Sequence, residues 1–346
     1  MLETASFFIS NLNIKEIRAM AVYNRFFTQE KWKNVNKYNK ELMEDYLLEM
    51  KSQKKSDGSI KQYKNDLRIV FIWIMEECDN KPIYKLKKKN FRNFMLYLQE
   101  KGMSNQRVNR IFSATRSMLE FGSNEEDYED ELEINYASKV KGLKKEKTRE
   151  IIFLTDEEVT YIYNRLIEKK KYQQALFCAL MYEGAGRRNE CSQVTKESIR
   201  DEENFTNIVT GKRGKKFKLL YHHKTKQAMK LWMGQRGEDD LETLWITKSL
   251  GQKTPASYET LYAWVISWRK ILAEKFEEKE FNPHSFRHSA LENYSDGSHY
   301  VCKEILGGKA LTIDQLRLLA HHEDVSTTFG YLKSKDDEML LDAFGL

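Results

Sequence analysis

Guanidinium, imidazole, ammonium and phenol groups gather in four short segments in the second half of the chain. They are residues 184–190 with Arg187, Lys212 in a glycine-flanked turn, residues 284–288, and residues 321–331 ending in Tyr331. A guanidinium can place two hydrogen bonds on a phosphate, an imidazole can move a proton near neutral pH, and a deprotonated phenol is a nucleophile. A phosphate is therefore one candidate ligand of the arginine-bearing segments.

Each segment alone also has a simpler interpretation. Glycines allow close backbone approach, but residues 184–190 could equally be a turn between helices with exposed arginines. Lys212 could be an ordinary solvated turn lysine. His284 and Arg287 are three residues apart, so they share one face if this segment is helical. Only the whole set, in this order, favours a reactive site.

That order resembles the tyrosine recombinases, the family of phage integrases, transposon integrases and Xer-type resolution enzymes. The resemblance covers roughly residues 37–335. Any one motif is weak, but six positions in register are a strong signal. The matched positions are Arg187 with Glu190 three residues later, Lys212 at a Gly-Lys-x-Gly turn, His284 and Arg287 as His-x-x-Arg, and His322 nine residues before Tyr331.

The resemblance implies that Tyr331 attacks a DNA phosphodiester without a metal or any other cofactor. Arg187 and Arg287 would hold the non-bridging oxygens, because guanidinium groups stay protonated. His322 would donate one further hydrogen bond to the same phosphate. A free tyrosine phenol has a pKa near ~10, so a general base is needed, and His284 is the candidate.

The remaining roles concern the leaving group and the support of the site. Lys212 would give a proton to the leaving 5′ oxygen, and Glu190 would orient the arginine region from behind. His288 is expected to pack or to support its neighbours. The product would be a 3′-phosphotyrosine, and its conserved bond energy would allow rejoining without ATP, which agrees with the lack of a Walker-type loop.

Two departures from the family pattern bear on these assignments. Ala320-His321-His322 stands where the family has Leu-Gly-His, and the nine-residue spacing to Tyr331 favours His322 over His321. The chain also has extra residues before this motif, including 296–298 and 307–308, which we interpret as a surface insertion. Tyr294 and Tyr300 lie in or beside it and are weaker nucleophile candidates, expected to be structural.

The surrounding pattern predicts a mainly α protein with a small β-hairpin or sheet in the catalytic domain, an α+β architecture. Apolar residues at helical spacing indicate helices around 38–51, 60–74, 91–98 and 104–119. Ser56, Asp57 and Ser59 are candidate caps of the second helix, and Ser104 caps the last. A hairpin is predicted from 205–209 and 215–220. Thr155, followed by three acidic residues, predicts a helix start, and a further helix covers 258–272.

These elements predict a two-domain DNA clamp. Residues 1–34 are an N-terminal extension of unknown role, 35–122 a helical core-binding domain of the SAM-like kind, 123–150 a linker, and 151–346 the catalytic domain. The linker follows from an acidic run that gives way to a basic one without periodicity. Residues 336–344 predict an amphipathic C-terminal helix that packs either on its own domain or on a neighbouring protomer.

Charge and composition favour double-stranded DNA as the partner. The net charge is +6, and basic runs at 81–89, 139–149 and 212–218 can replace counterions on a phosphate backbone, although any one run could be a solvated face. Four scattered cysteines predict buried thiols rather than a disulfide or zinc site. The expected DNA-binding residues are Arg107, Arg110, Arg116 and Lys215.

The resemblance further implies a homo-tetramer on paired DNA sites that is a monomer when free, with accessory DNA-bending proteins as further partners. Without a signal or membrane segment, we expect a cytoplasmic, nucleoid-associated protein. Integration or excision of a mobile element or phage is the predicted role. A topoisomerase-like or resolvase activity, and a non-catalytic DNA-binding regulator on the same scaffold, are the alternatives.

Overall fold

The computed structural model describes residues 26–144, 146 and 150–332. The chain divides into two compact units, residues 1–149 and 150–346. Residues 1–25 of the predicted N-terminal extension and the C-terminal helix predicted over 336–344 lie outside the described residues. Within the described ranges, every helix is too short or too polar to cross a bilayer.

The first unit is a helical bundle whose helices begin where the caps were predicted. The side chain of Ser56 accepts a hydrogen bond from the Ser59 amide at 3.3 Å, and Ser104 accepts one from the Arg107 amide at 3.3 Å. Phe71 and Phe112 are buried in the core of this unit. Its helices are α1 Gln29–Asn34, α2 Lys37–Ser52, α3 Asp57–Glu77, α4 Lys88–Glu100 and α5 Asn105–Gly122.

The predicted linker is wrong over most of its length. Tyr128, Leu132, Ala137 and Val140 are buried in the core of the first unit. Arg116 holds this segment by donating to the carbonyls of Ala137 at 3.1 Å and Val140 at 2.8 Å. A few well-spaced apolar residues are enough to bury an irregular segment, and a search for periodicity does not detect them. The other predicted domain limits stay predictions.

The second unit packs helices around two small antiparallel hairpins. One hairpin was predicted, and it pairs Val209 with Phe217. The other, which pairs Thr247 with Thr254, was not predicted. The mainly α fold with small sheets is confirmed. The elements are α6 Asp156–Glu168, α7 Tyr172–Glu183, α8 Arg188–Cys191, β1 Phe205–Thr210, β2 Lys216–Leu220, α9 His223–Arg236, β3 Ile246–Ser249, β4 Gln252–Pro255, α10 Tyr258–Leu272, α11 Pro283–Ser295, α12 Tyr300–Glu304, α13 Ile313–Leu319 and α14 Val325–Phe329.

The predicted surface insertion is only partly at the surface. Residues 303–310 are exposed, but His299 and Tyr300 are buried. The ring of His299 stacks between Tyr182 and Tyr294 at centroid distances of 4.1 and 3.8 Å. The Tyr300 hydroxyl donates to Glu183 at 2.5 Å. The Tyr294 hydroxyl donates to the Glu183 carbonyl at 2.9 Å. Tyr294 and Tyr300 are therefore core residues, as expected, and their hydroxyls are not available as nucleophiles.

Candidate active site

Arg187 is placed by a tight turn between α7 and α8. A side chain at Gly184 would come within 2.6 Å of the Leu220 carbonyl oxygen, so only glycine allows the turn to approach β2 this closely. Glu190 then accepts from the Arg187 amide at 2.8 Å and from its guanidinium at 2.7 Å. Burial lowers the pKa of Arg187, but the hydrogen bond and the charge of Glu190 together outweigh burial, so the pKa lies above its usual value. The guanidinium is therefore both held and charged.

Arg287 lies on α11, one turn after the N-terminal cap that Asn282 forms. Its side chain is fully buried and donates to the carbonyls of Ala185 at 2.6 Å and Ala320 at 2.5 Å. Its Nε has no hydrogen-bond partner among the described residues. Burial, and then the positive charge of Arg187, lower the pKa of Arg287 to about 10, so it is still protonated at neutral pH.

His322, and not His321, lies beside this guanidinium. The Nε2 atom of His322 is 2.8 Å from Nη2 of Arg287, and its Nδ1 atom is 2.9 Å from the hydroxyl of Thr328. Burial, followed by the charges of the two arginines, lowers the pKa of His322 to about 3. His321 instead adopts a left-handed φ of 54° and stacks on Phe217 at 3.8 Å.

Tyr331 lies among the three histidines and against Arg287. Its ring centroid is 4.3 Å from that of His288, 4.9 Å from His322 and 5.3 Å from His284. The Arg287 guanidinium carbon is 5.2 Å from the ring centroid. The phenol also interacts electrostatically with Arg187. The predicted nucleophile and the two predicted phosphate-binding arginines therefore share one site.

The two histidines of α11 differ in environment. His288 is buried, and its Nδ1 donates to the Tyr331 carbonyl at 3.0 Å, which fits the predicted supporting role. His284 keeps an exposed edge next to the phenol ring. Partial desolvation of its ring, and then the charges of His288 and Arg287, lower the pKa of His284 to about 4. It is therefore neutral at pH 7 and able to accept a proton.

Lys212 is the one predicted catalytic residue that the structure does not bring into contact with the others. It lies in the exposed turn Lys212–Gly214 at the tip of the β1–β2 hairpin, and its ammonium has no partner among the described residues. Its neighbours hold the tip near the His322 segment. Arg213 pairs with Glu323 at 3.2 Å, and Lys215 donates to the His321 carbonyl at 3.2 Å.

The arginines that were expected to contact DNA in the first unit have partners within the chain. Arg107 pairs with the buried carboxylate of Asp66 at 2.5 Å, and Arg110 approaches the same carboxylate at 3.2 Å. Arg116 binds the two carbonyls described above. Arg107 and Arg116 are thus structural, whereas Arg110, whose side chain is 46% exposed, stays a predicted DNA contact.

Sequence reasoning missed the supporting contacts of the site. The sequence pattern did not identify the hydroxyl of Thr328 or the two carbonyls that accept hydrogen bonds from Arg287 as contacts of the site. It also missed a cleft of about 250 Å³ that opens beside the two arginines. The lining residues are Arg187, Arg188, Tyr258, Tyr262, Asn282, Pro283, His284 and Arg287.

Two family models match this chain. "Phage integrase family" covers residues 152–338, and "Phage integrase, N-terminal SAM-like domain" covers residues 43–126. The chain belongs to the phage integrase family. The predicted family and enzyme class, a tyrosine-type site-specific DNA recombinase, are confirmed.

Individual proteins agree with this membership. The chain is 24% identical to the SPbeta prophage-derived recombinase-like protein YomM of Bacillus subtilis (strain 168), over 93% of this chain and 95% of that protein. Its fold is similar to that of a lambda integrase fragment solved as a dimer bound to a COC′ core site, with a TM-score of 0.62, 15% identity, and coverage of 84% of this chain and 94% of that one. A lambda integrase tetramer bound to a Holliday junction gives a TM-score of 0.61 at 15% identity, covering 85% and 76%.

Proposed function

We propose that this recombinase cleaves and rejoins double-stranded DNA through a covalent link to Tyr331. The observation that supports this most strongly is the position of the Tyr331 ring, 5.2 Å from the Arg287 guanidinium carbon and beside three imidazoles. A phosphodiester that contacts both Arg187 and Arg287 would lie next to the phenol. Those guanidinium groups would stabilise the charge that develops on the non-bridging oxygens.

The reaction conserves atoms and charge without a nucleotide. The Tyr331 oxygen bonds to phosphorus, and the bond from phosphorus to the 5′ oxygen breaks. His284 takes the phenol proton, and Lys212 supplies a proton to the leaving oxygen once the hairpin tip reaches it. A histidine with a pKa of about 4 is a weak base. The arginines must therefore lower the cost of forming the phenolate. Attack by a 5′ hydroxyl then reverses the step.

His322 lies beside the guanidinium that would bind the phosphate. Its Nε2 atom is 2.8 Å from Nη2 of Arg287. We therefore keep the predicted hydrogen bond from His322 to the same phosphate as part of the proposal. The non-catalytic alternative would require a broken catalytic set, and the close packing of Arg287, His322 and Tyr331 argues against it.

We extend the proposal to the assembly and to the biological setting. A tetramer on paired sites is supported by the similarity to lambda integrase, which was solved as a tetramer on a Holliday junction. A role in the integration or excision of a mobile element is supported by the relative described as prophage-derived. Action on DNA in the cytoplasm follows from these two points.

Trapping the covalent intermediate tests the proposal. Suicide substrates that carry candidate element ends are incubated with the protein in the presence of EDTA, and the adduct is resolved by denaturing electrophoresis. We expect an adduct that is lost in Tyr331→Phe and kept in Tyr161→Phe, which removes a hydroxyl from a ring packed on Phe276 in the same unit. An adduct that persists in Tyr331→Phe would refute the assignment.

A further inference from the structure

Arg188, the residue after Arg187, lies over an exposed aromatic surface. Its guanidinium carbon is 3.4 Å from the ring centroid of Tyr258 and 4.9 Å from that of Tyr262. One of its N–H groups donates to the Tyr258 carbonyl at 3.1 Å. The two tyrosines are 43% and 42% exposed, so these contacts fix the orientation of the guanidinium without burying it.

The remaining N–H groups of Arg188 have no partner in the ranges that the structure describes. A guanidinium carries several donors and no acceptor, and the bond to Tyr258 is the hydrogen bond that Arg188 makes there. No described carboxylate pairs with Arg188, whereas Glu190 pairs with Arg187 at 2.7 Å. A guanidinium stacked on a ring keeps its planar set of donors free at its edges. Arg188 therefore offers donors and an unneutralised charge to the space beside it.

That space is the cleft of about 250 Å³ that opens beside Arg187 and Arg287. Arg188 is the third guanidinium of its lining, and none of the described residues that line it is a carboxylate. Both α10 and α11 begin at residues of this lining, and their N-terminal ends add partial positive charge. Glu259, the acidic residue in the first turn of α10, does not line the cleft. The cleft therefore has the charge and the donors of an anion site.

A DNA strand brings more than one anion to this cleft. In the proposed function, Arg187 and Arg287 hold the phosphate that Tyr331 attacks. Successive phosphates of one strand are separated by ~3.4 Å along the helix axis, so a neighbour of the scissile phosphate also comes close to the cleft. Arg188 is already oriented by the two tyrosines before DNA binds, which lowers the entropic cost of the contact.

We propose that Arg188, held by Tyr258 and Tyr262, binds a phosphate next to the scissile phosphate and forms a second phosphate subsite of the same cleft. This inference rests on the proposed function, because the subsite is defined relative to the phosphate that Tyr331 attacks. Arg188 takes no part in making or breaking bonds. It holds the strand so that the scissile phosphate stays between Arg187 and Arg287.

Neutral phosphates test this subsite on the full-length protein. A methylphosphonate, in which a methyl group replaces one charged oxygen, is placed on either side of the scissile phosphate of a suicide substrate that carries candidate element ends. At limiting protein, we expect adduct formation by the native protein to slow on the order of 10-fold at one of the two positions. Arg188→Ala is expected to slow the ordinary substrate to a similar extent. On the sensitive methylphosphonate substrate this variant should lose no more than about 2-fold further, because both changes remove the same contact.

The salt dependence of DNA binding gives a second readout, which a purely structural role for Arg188 would not change. Loss of one phosphate contact lowers the slope of log affinity against log salt by about 0.9. We expect this decrease for Arg188→Ala, measured by fluorescence anisotropy with a labelled duplex that carries the same element ends. The methylphosphonate at the sensitive position should produce no further decrease in this variant.

Arg200→Ala is the matched control. It removes a guanidinium that pairs with Glu203 at 3.7 Å and does not line the cleft. This variant is expected to show the same sensitivity to the methylphosphonate as the native protein.

Each opposing outcome has a distinct meaning. A native protein that cleaves both methylphosphonate substrates at the ordinary rate would overturn the inference without any variant. Losses that multiply in a folded Arg188→Ala, or a native salt slope in that variant, would also overturn it. Absence of an adduct from the native protein on the ordinary substrate would instead refute the proposed function, and the salt slope would still test the contact of Arg188 with DNA.

Discussion

Replacement of Glu190 by glutamine tests how one carboxylate holds the arginine turn. Glu190 is 1% exposed, accepts two hydrogen bonds from Arg187, and lies 3.8 Å from Nη1 of Arg287. An amide has one oxygen and one NH2 group, so glutamine can keep one of the two acceptor contacts but turns a donor toward the other. The change also removes the negative charge that separates two guanidinium groups.

The expected cost follows from these contacts. A hydrogen bond to a charged group contributes about 1.5–3 kcal/mol, and the lower half of this range applies because the Arg187 side chain is 30% exposed. Weaker attraction to Arg287 raises the total to about 2–3 kcal/mol, just below the cost of breaking a fully buried pair. For a unit of this size, roughly 2–4 °C per kcal/mol gives a decrease in melting temperature of about 4–12 °C.

Tryptophan fluorescence is a suitable probe of this unfolding, because Trp232, Trp245, Trp264 and Trp268 all lie in the second unit. We also expect adduct formation to slow on the order of 10–100-fold, since Arg187 would lose its fixed orientation. The matched control is Glu323→Gln, which removes the charge of an exposed pair with Arg213 and is expected to cost less than about 1 kcal/mol.

Three outcomes are distinguishable. Loss of both stability and rate in Glu190→Gln supports the reasoning. A melting temperature equal to that of the native protein would show that the charge does not hold the arginines. A destabilised variant with the native cleavage rate would make Glu190 a packing residue only.

Two further predictions concern protons. Lys212→Ala is expected to slow cleavage of an ordinary phosphodiester by about 100-fold. The loss should be much smaller on a substrate with a 5′-bridging sulfur, because a thiolate leaves without a proton. Equal losses on both substrates would exclude Lys212 as the acid, and Lys248→Ala, at an exposed lysine of the β3–β4 hairpin, is the control. Unfolding at several pH values tests the histidines. Burial is the largest cause that lowers the folded-state pKa of His322 to about 3 and those of His284 and His321 to about 4. These values lie below the unfolded value of ~6.5, so the folded state binds fewer protons and its stability, full above pH 6.5, decreases as the pH falls toward 4. A denaturant midpoint that rises on acidification would contradict this.

Arg107 and Arg116 of α5 show what reasoning from the sequence could not find. Helical spacing correctly separated a polar face from the apolar one, and exposure to DNA was the natural reading of that polar face. The structure instead presents Asp66 of α3 to Arg107 and Arg110. The identity of the element that faces a helix is set by the packing of the bundle, and one sequence does not contain that information.

The site of the second unit shows the same division. The nine-residue spacing of the family pattern favoured His322 over His321, and His322 is the one whose ring lies beside Tyr331 and Arg287. Helical geometry likewise placed His284 and Arg287 on one face. The hairpin bearing Lys212 was recognisable from its glycines, but nothing local predicted that Arg213 and Lys215, rather than Lys212, would contact the His321–Glu323 segment.

Local chemistry is therefore what the sequence by itself determined: which residue types occur, which of them share a helix face, where helices begin, and which family the pattern resembles. The tertiary structure alone decided the partners of Arg287, which binds the carbonyl of Ala185 across 102 residues and that of Ala320 across 33. The physical reason is that hydrogen bonds between distant segments depend on how whole helices pack, whereas spacing constrains only neighbours within a few turns.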